Sequence, residues 1–162
     1  MALQRVDGLE GAALQYAEGK GFGDVLEVDS NGWTLLHHAA SESQHRRGML
    51  EIIRGLLAVM PNDVVDQKTG GGTPHGWSAL SIVCNARDWA NERAGIAQLL
   101  VEKVADLETT NHHRTTALMS ACGCGNWSCV RILLDAQANP FATNIRGKNA
   151  LDVTPAEQWQ VV

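Results

Sequence analysis

Sulfur and imidazole are the groups with the most chemistry to offer in this sequence. Cys122-Gly123-Cys124 and Cys129 follow His112-His113 closely, and thiolate and imidazole are the ligands of tetrahedral zinc sites. Thiol-redox chemistry at Cys124 would draw on the same cluster. With Cys84, the four cysteines allow three disulfide pairings. His37-His38 is a second imidazole pair. Gly70-Gly71-Gly72-Thr73-Pro74-His75-Gly76 resembles an anion-cradling loop but lacks the lysine that would reach a phosphate. No Gly-x-Ser-x-Gly elbow and no His-Glu-x-x-His helix is present, so hydrolytic and metalloprotease chemistry find no support.

The elements that must position these groups show up as a recurring phrase. Thr115-Thr116-Ala117-Leu118-Met119-Ser120-Ala121-Cys122 returns as Lys148-Asn149-Ala150-Leu151-Asp152-Val153, and Leu118 and Leu151 lie 33 residues apart. Earlier copies are Gly32-Trp33-Thr34-Leu35-Leu36-His37-His38-Ala39-Ala40 and Gly76-Trp77-Ser78-Ala79-Leu80-Ser81-Ile82-Val83-Cys84. A second phrase recurs at Glu51 to Leu57, Ile96 to Glu102 and Val130 to Asp135. Over roughly Asp29 to Val153 the chain resembles the ankyrin-repeat family, whose mark is a Thr-Pro-Leu-His-x-Ala turn opening two antiparallel helices at this period. The resemblance implies an all-α ankyrin-repeat solenoid of stacked helix-turn-helix units joined by hairpin-like loops.

Composition bounds the alternatives. A chain of 162 residues with 44% apolar content is one domain's worth and can bury a continuous core. The formal net charge is −5, and His45-Arg46-Arg47 is the only basic cluster, which argues against nucleic acid. Met1 to Asp7 has no signal-peptide character and no stretch reaches the length of a membrane span, so a cytoplasmic location with reduced thiols is expected.

Read in order, residues 1–28 form an amino-terminal cap: Leu9, Ala12, Ala13 and Tyr16 have helical spacing, and Gly19, Gly21 and Gly23 stop that helix. Repeats follow at 29–75, 76–110 and 111–144, with a half-repeat cap at 145–162 that contributes a first helix only. Leu50, Ile53, Leu57 and Met60 mark one face of the first outer helix, and Pro61 ends it. The first two repeats carry five more residues between their helices than the third does. Ser41 or Ser43, and Asp88, can serve as caps from which the outer helices would start early and form a ledge, with Trp89 and Trp127 packing at that end. The glycine run predicts a long, mobile second hairpin. In the family a glycine follows the outer helix; here Met60, Val104 and Gln137 stand there, and Val104 predicts an altered loop.

Register assigns the reactive groups. Cys84 and Cys122 fall where a small core residue belongs, Cys129 on the buried face of an outer helix and Cys124 near the surface. By the resemblance, His37 is the turn histidine that hydrogen-bonds neighbouring backbone, whereas His38 faces the concave side. Trp33 and Trp77 sit at equivalent positions beside the hairpins, and such residues anchor interfaces or cover the junction between repeats.

The resemblance thus implies a non-enzymatic module without cofactor or metal, which binds another protein through hairpin tips and concave inner helices. The residues expected on that face are Trp33, His38, Glu42, His75, Trp77, Ile82, Asn85, His112, His113, Thr115, Ser120 and Cys124. The alternative is self-assembly as a weak homodimer, through a carboxyl-terminal end where Trp159, Val161 and Val162 leave apolar surface open.

Overall fold

The computed structural model describes residues 11–70, 76–87, 91–103 and 106–156. Leu9, His75, Asp88, Trp89, Val104, Trp159, Val161 and Val162 therefore lie outside the described residues. Among the described residues eight helices run in the order α1 (Gly11–Lys20), α2 (Leu35–Glu42), α3 (Met49–Val59), α4 (Asn62–Val65), α5 (Ala79–Cys84), α6 (Asn91–Lys103), α7 (Ala117–Cys124) and α8 (Trp127–Asp135).

Each inner helix starts at a hydroxyl that accepts an N–H of its own first turn. Thr34, Ser78 and Thr116 cap α2, α5 and α7 by accepting from the N–H groups of His37, Ser81 and Met119. The inner helices α2, α5 and α7 pack in one row and the outer helices α3, α6 and α8 in a second, each inner helix against its own outer one. α1 packs on α3, at the start of the outer row. Between the rows lie the wholly buried Leu35, Leu36, Ile53, Leu56, Ile96, Leu100, Leu118 and Leu133. Each contributes about 1.5–3 kcal/mol by leaving water. A Cβ on Gly55 would come within 2.6 Å of the Ala13 Cβ, so glycine there lets α1 approach α3.

The hairpins share one hydrogen-bond pattern. Asp29 Oδ1 accepts from Asn31 and Trp33, Asn111 Oδ1 from His113 and Thr115, and Asn144 Oδ1 from Arg146 and Lys148. In the second hairpin Thr69 takes this place: the Trp77 N–H donates to its Oγ1, and its own N–H donates to the Trp77 carbonyl. The residue before each closing position is left-handed: Gly32 (φ 72°), Gly76 (φ 69°), Arg114 (φ 55°) and Gly147 (φ 68°). Adjacent hairpins touch, and a Cβ on Gly32 would lie 2.6 Å from the Gly70 backbone.

The departures from the sequence expectations have physical causes. The first insertion does not lengthen an outer helix. Ser43 caps the carboxyl end of α2, the chain turns through 44–48, and α3 begins after Gly48, which has no side chain to cap it. The Glu92 carboxylate from α6 supplies a cap instead, accepting from the Leu50 N–H at 2.9 Å. The second insertion extends its outer helix only in part: with Leu99 matched to Leu133, α6 (13 residues) starts two residues before the position where α8 (9 residues) starts, and it runs two further at its other end. Part of the remaining excess spacing between α2 and α5 forms α4, which buries Val65.

The fourth copy of the phrase forms no helix among the described residues. Asn149 caps a single turn, accepting from Leu151 and Asp152, and Leu151 is 58% exposed where Leu118 is 2%. Pro155 follows at once, and one turn is too short to offset the cost of nucleating a helix. Where the family places glycine after the outer helix, Gln137 is left-handed (φ 66°) but Met60 is extended (φ −78°).

Candidate protein-binding face

His37 and His38 are adjacent and face different surroundings. The His37 ring is buried: Nδ1 accepts the Thr34 N–H at 3.1 Å, and Nε2 lies 2.9 Å from the Gln67 carbonyl and 3.1 Å from that of Trp77. Because a backbone N–H only donates, Nδ1 is the bare nitrogen and Nε2 carries the proton. Burial pushes the His37 pKa down from 6.5 to about 4, and the two carbonyls oppose the shift only in part. His37 thus fastens the second hairpin to the first repeat as a neutral ring.

His38 points to the accessible side. Its Nε2 lies 3.0 Å from Asp29 Oδ2, and its ring meets those of Trp33 (centroids 5.2 Å apart) and Phe22 (5.8 Å, edge to face). For Asp29, burial raises the pKa, but the N–H groups of Trp33 and Asn31 together with His38 outweigh it and hold the carboxyl below its ordinary value. The hairpin cap is therefore also the partner of His38, an arrangement that sequence spacing alone did not display.

The remaining candidates divide by exposure. Trp33 and Trp77 are half-buried and pack against the core, while Asn85, His112 and His113 are exposed and Thr115 is half-buried. A groove of about 600 Å³ between the second and third hairpins is lined by Lys68, Thr69, Gly70, Gly76, Thr110, Asn111 and His112. Ile82 and Ser120 are only 5% and 6% exposed, so neither offers a surface. α5 is enclosed by α2, α6 and α7, and the Ser120 hydroxyl donates to the Thr116 carbonyl of its own helix. Glu42, at the far end of α2, is half-buried and turned away from the hairpins, pairing with Lys20 and with Arg46 (3.6 Å).

The cysteines follow their register. Cys84, Cys122 and Cys129 are buried, Cys124 is half-exposed, and its thiol donates to Asn85 Oδ1 at 3.4 Å. The hydrogen bond with Cys129 and then burial raise the Cys84 pKa; burial also raises those of Cys122 and Cys124. All four thiols are free. His112 and His113 lie in the hairpin before α7 and Cys124 ends that helix, a separation of about 12 Å along eight residues. Among the described residues no three histidine, cysteine or acidic groups are placed to hold a metal ion.

Capped inner helices, antiparallel outer helices and Asx-turn hairpins repeated along two rows define a helical repeat protein. Residues 99–153 match the family model for ankyrin repeats in many copies. An ankyrin repeat protein of Acanthamoeba polyphaga mimivirus is 28% identical over 114 residues, which cover 70% of this chain and 65% of that protein. The DNA replication inhibitor plutonium of Drosophila melanogaster is 45% identical over 49 residues, 30% of this chain and 28% of that protein. The chain thus spans less than two thirds of either relative. The matched residues carry ankyrin repeats, and over 70% of its length the chain is similar to an ankyrin repeat protein; such repeats generally mediate protein–protein interaction. Among the described residues no helix is long and apolar enough to cross a membrane.

Proposed function

We propose that this chain is a non-enzymatic protein-binding module, with full repeats at 29–75, 76–110 and 111–144 between caps at 1–28 and 145–162. The partner is another protein, held against the hairpins and the open ends of the inner helices. One observation carries the reading: equivalent hairpin positions, whose N–H groups donate to the side chains of Asp29, Thr69 and Asn111, hold Trp33, Trp77 and Thr115, with His38 against Trp33 and with His112 and His113 exposed in the third hairpin. A rigid backbone presenting two tryptophans suits an interface, since ordering such side chains on binding costs little. A cytoplasmic location, where thiols stay reduced, fits this reading. A photo-reactive phenylalanine at His113 should cross-link a partner in extract of the source cells, and one at Arg54 on α3 should not. Equal labelling from both positions contradicts the assignment.

A second reading, self-assembly through the carboxyl-terminal end, is favoured by the exposure of Phe141 (80%), Ile145 (58%) and Leu151 (58%). Light scattering across a hundredfold dilution separates the two: a mass that doubles with concentration, and does not after Phe141→Ser, supports the dimer.

A further inference from the structure

The end of the stack away from the hairpins carries a different kind of surface. Although the chain has a net charge of −5, Lys20 at the end of α1, Arg46 and Arg47 in the turn before α3, and Arg87 after α5 gather cations there. Arg93 of α6 sets their arrangement. It is 5% exposed, and its guanidinium donates to the carbonyls of Ser43 (3.4 Å), Gln44 (3.1 Å) and Arg87 (2.7 Å). Both inserted segments are thereby tied to one side chain, and their arginines are presented on a common support.

The balance of charge on this support is uneven. Lys20 and Arg46 share one carboxylate, Glu42, and among the described residues Arg47 and Arg87, both exposed, form no ion pair. Between α1 and the first insertion lies a groove of about 410 Å³, lined by Ala12, Gln15, Tyr16, Gly19, Lys20, Glu42, Arg46 and Ile52. Lys20 and Arg46 each lie within about 6 Å of the Tyr16 ring centre. The Tyr16 hydroxyl in its wall is buried beside the Glu42 carboxylate, and burial and that carboxylate together raise its pKa.

We propose that this groove and the cations beside it bind an acidic, extended segment of a partner protein. The cations occupy three successive layers: α1, the first helix pair and the second. Packed helices are spaced by about 9 Å and an extended chain advances by about 3.4 Å per residue, so carboxylates at roughly every third position over about six residues would meet successive layers. Four cations on an acidic chain are too few for the phosphate contacts that nucleic-acid affinity requires. This surface is separate from the hairpin face, so the two can fail independently.

Fluorescence anisotropy on the full chain tests the proposal, with a labelled peptide of Glu-Ser-Gly repeats and its Gln-Ser-Gly counterpart as probes. The Glu peptide should bind and the Gln peptide should not, with binding weakened by added salt. Arg47→Glu combined with Arg87→Glu, two exposed side chains with no ion pair among the described residues, should weaken binding about tenfold or more while the circular dichroism melt stays in place. Trp33→Ala should leave the affinity unchanged. Equal binding of both peptides, no saturable binding of the Glu peptide, no effect of the double charge reversal, or equal binding of a labelled oligonucleotide would each overturn it.

Discussion

Protonation of His37 should unfasten the second hairpin within an experimentally convenient pH range. Because burial pushes its pKa from 6.5 to about 4, the unfolded chain binds a proton through that interval while the native protein resists it. The sign follows from linkage: where the unfolded state holds more protons, stability rises with pH, so it is full above pH 6.5 and falls as pH drops toward 4. For these two values the loss between pH 8 and pH 5 is about 2 kcal/mol. Asp29 and Glu42, whose pKa values are lowered, contribute stability that is lost in a more acidic window, as pH falls through their folded values. Urea unfolding at pH intervals from 8 to 5 reads the effect, with His37→Gln as the comparison. Glutamine has a donor to offer the Gln67 and Trp77 carbonyls but does not titrate. The wild type should lead the variant at pH 8, and that lead should shrink by about 2 kcal/mol at pH 5. Parallel curves would refute the assignment of a buried neutral ring to His37.

Other perturbations test separate joints. Gly32→Ala places a Cβ 2.6 Å from Gly70 backbone, whereas Gly147→Ala, with nearly the same φ, meets nothing within 4 Å. The second should cost about 1 kcal/mol for the left-handed conformation alone, and the first clearly more, in paired denaturant titrations. Gly55→Val should push α1 off α3 at a cost of about 1–3 kcal/mol, read as lost hydrogen-exchange protection in Ala13 to Lys20. Arg93→Met keeps the aliphatic stem but removes its donors to three carbonyls. About 2 kcal/mol should be lost, with faster amide exchange in residues 43–48, and Arg93→Lys should restore only part of it.

How far the fold was legible in the sequence depended on whether a residue's role was local. The apolar spacing of α3 is a property of that helix, so it could be read directly. The backbone-bonded role of His37 followed from the family phrase, whereas its neutral state depends on burial that only the fold supplies. Ile82 and Ser120 were misplaced because short inner helices are covered on both sides by their neighbours, and α5 is buried along all 6 of its residues. Leu151 matched Leu118 in the phrase, but a matching phrase does not lengthen a helix beyond one turn before Pro155. Arg93 and Glu92 were invisible for another reason: their partners are the backbone of a turn some 40 to 50 residues away, and backbone groups leave no mark in a sequence. The same holds for Asp29 with His38, two half-exposed groups joined only by the fold.

The central claim, that the hairpin side carries the partner, is tested most directly by affinity capture from the source cells. Wild type is compared with Trp33→Ala/Trp77→Ala, both at a temperature where their circular dichroism shows them folded. The double variant should stay folded, with some loss of stability because both rings pack on the core, and captured partner should fall at least fivefold, about 1 kcal/mol. Undiminished capture by a folded double variant would contradict it.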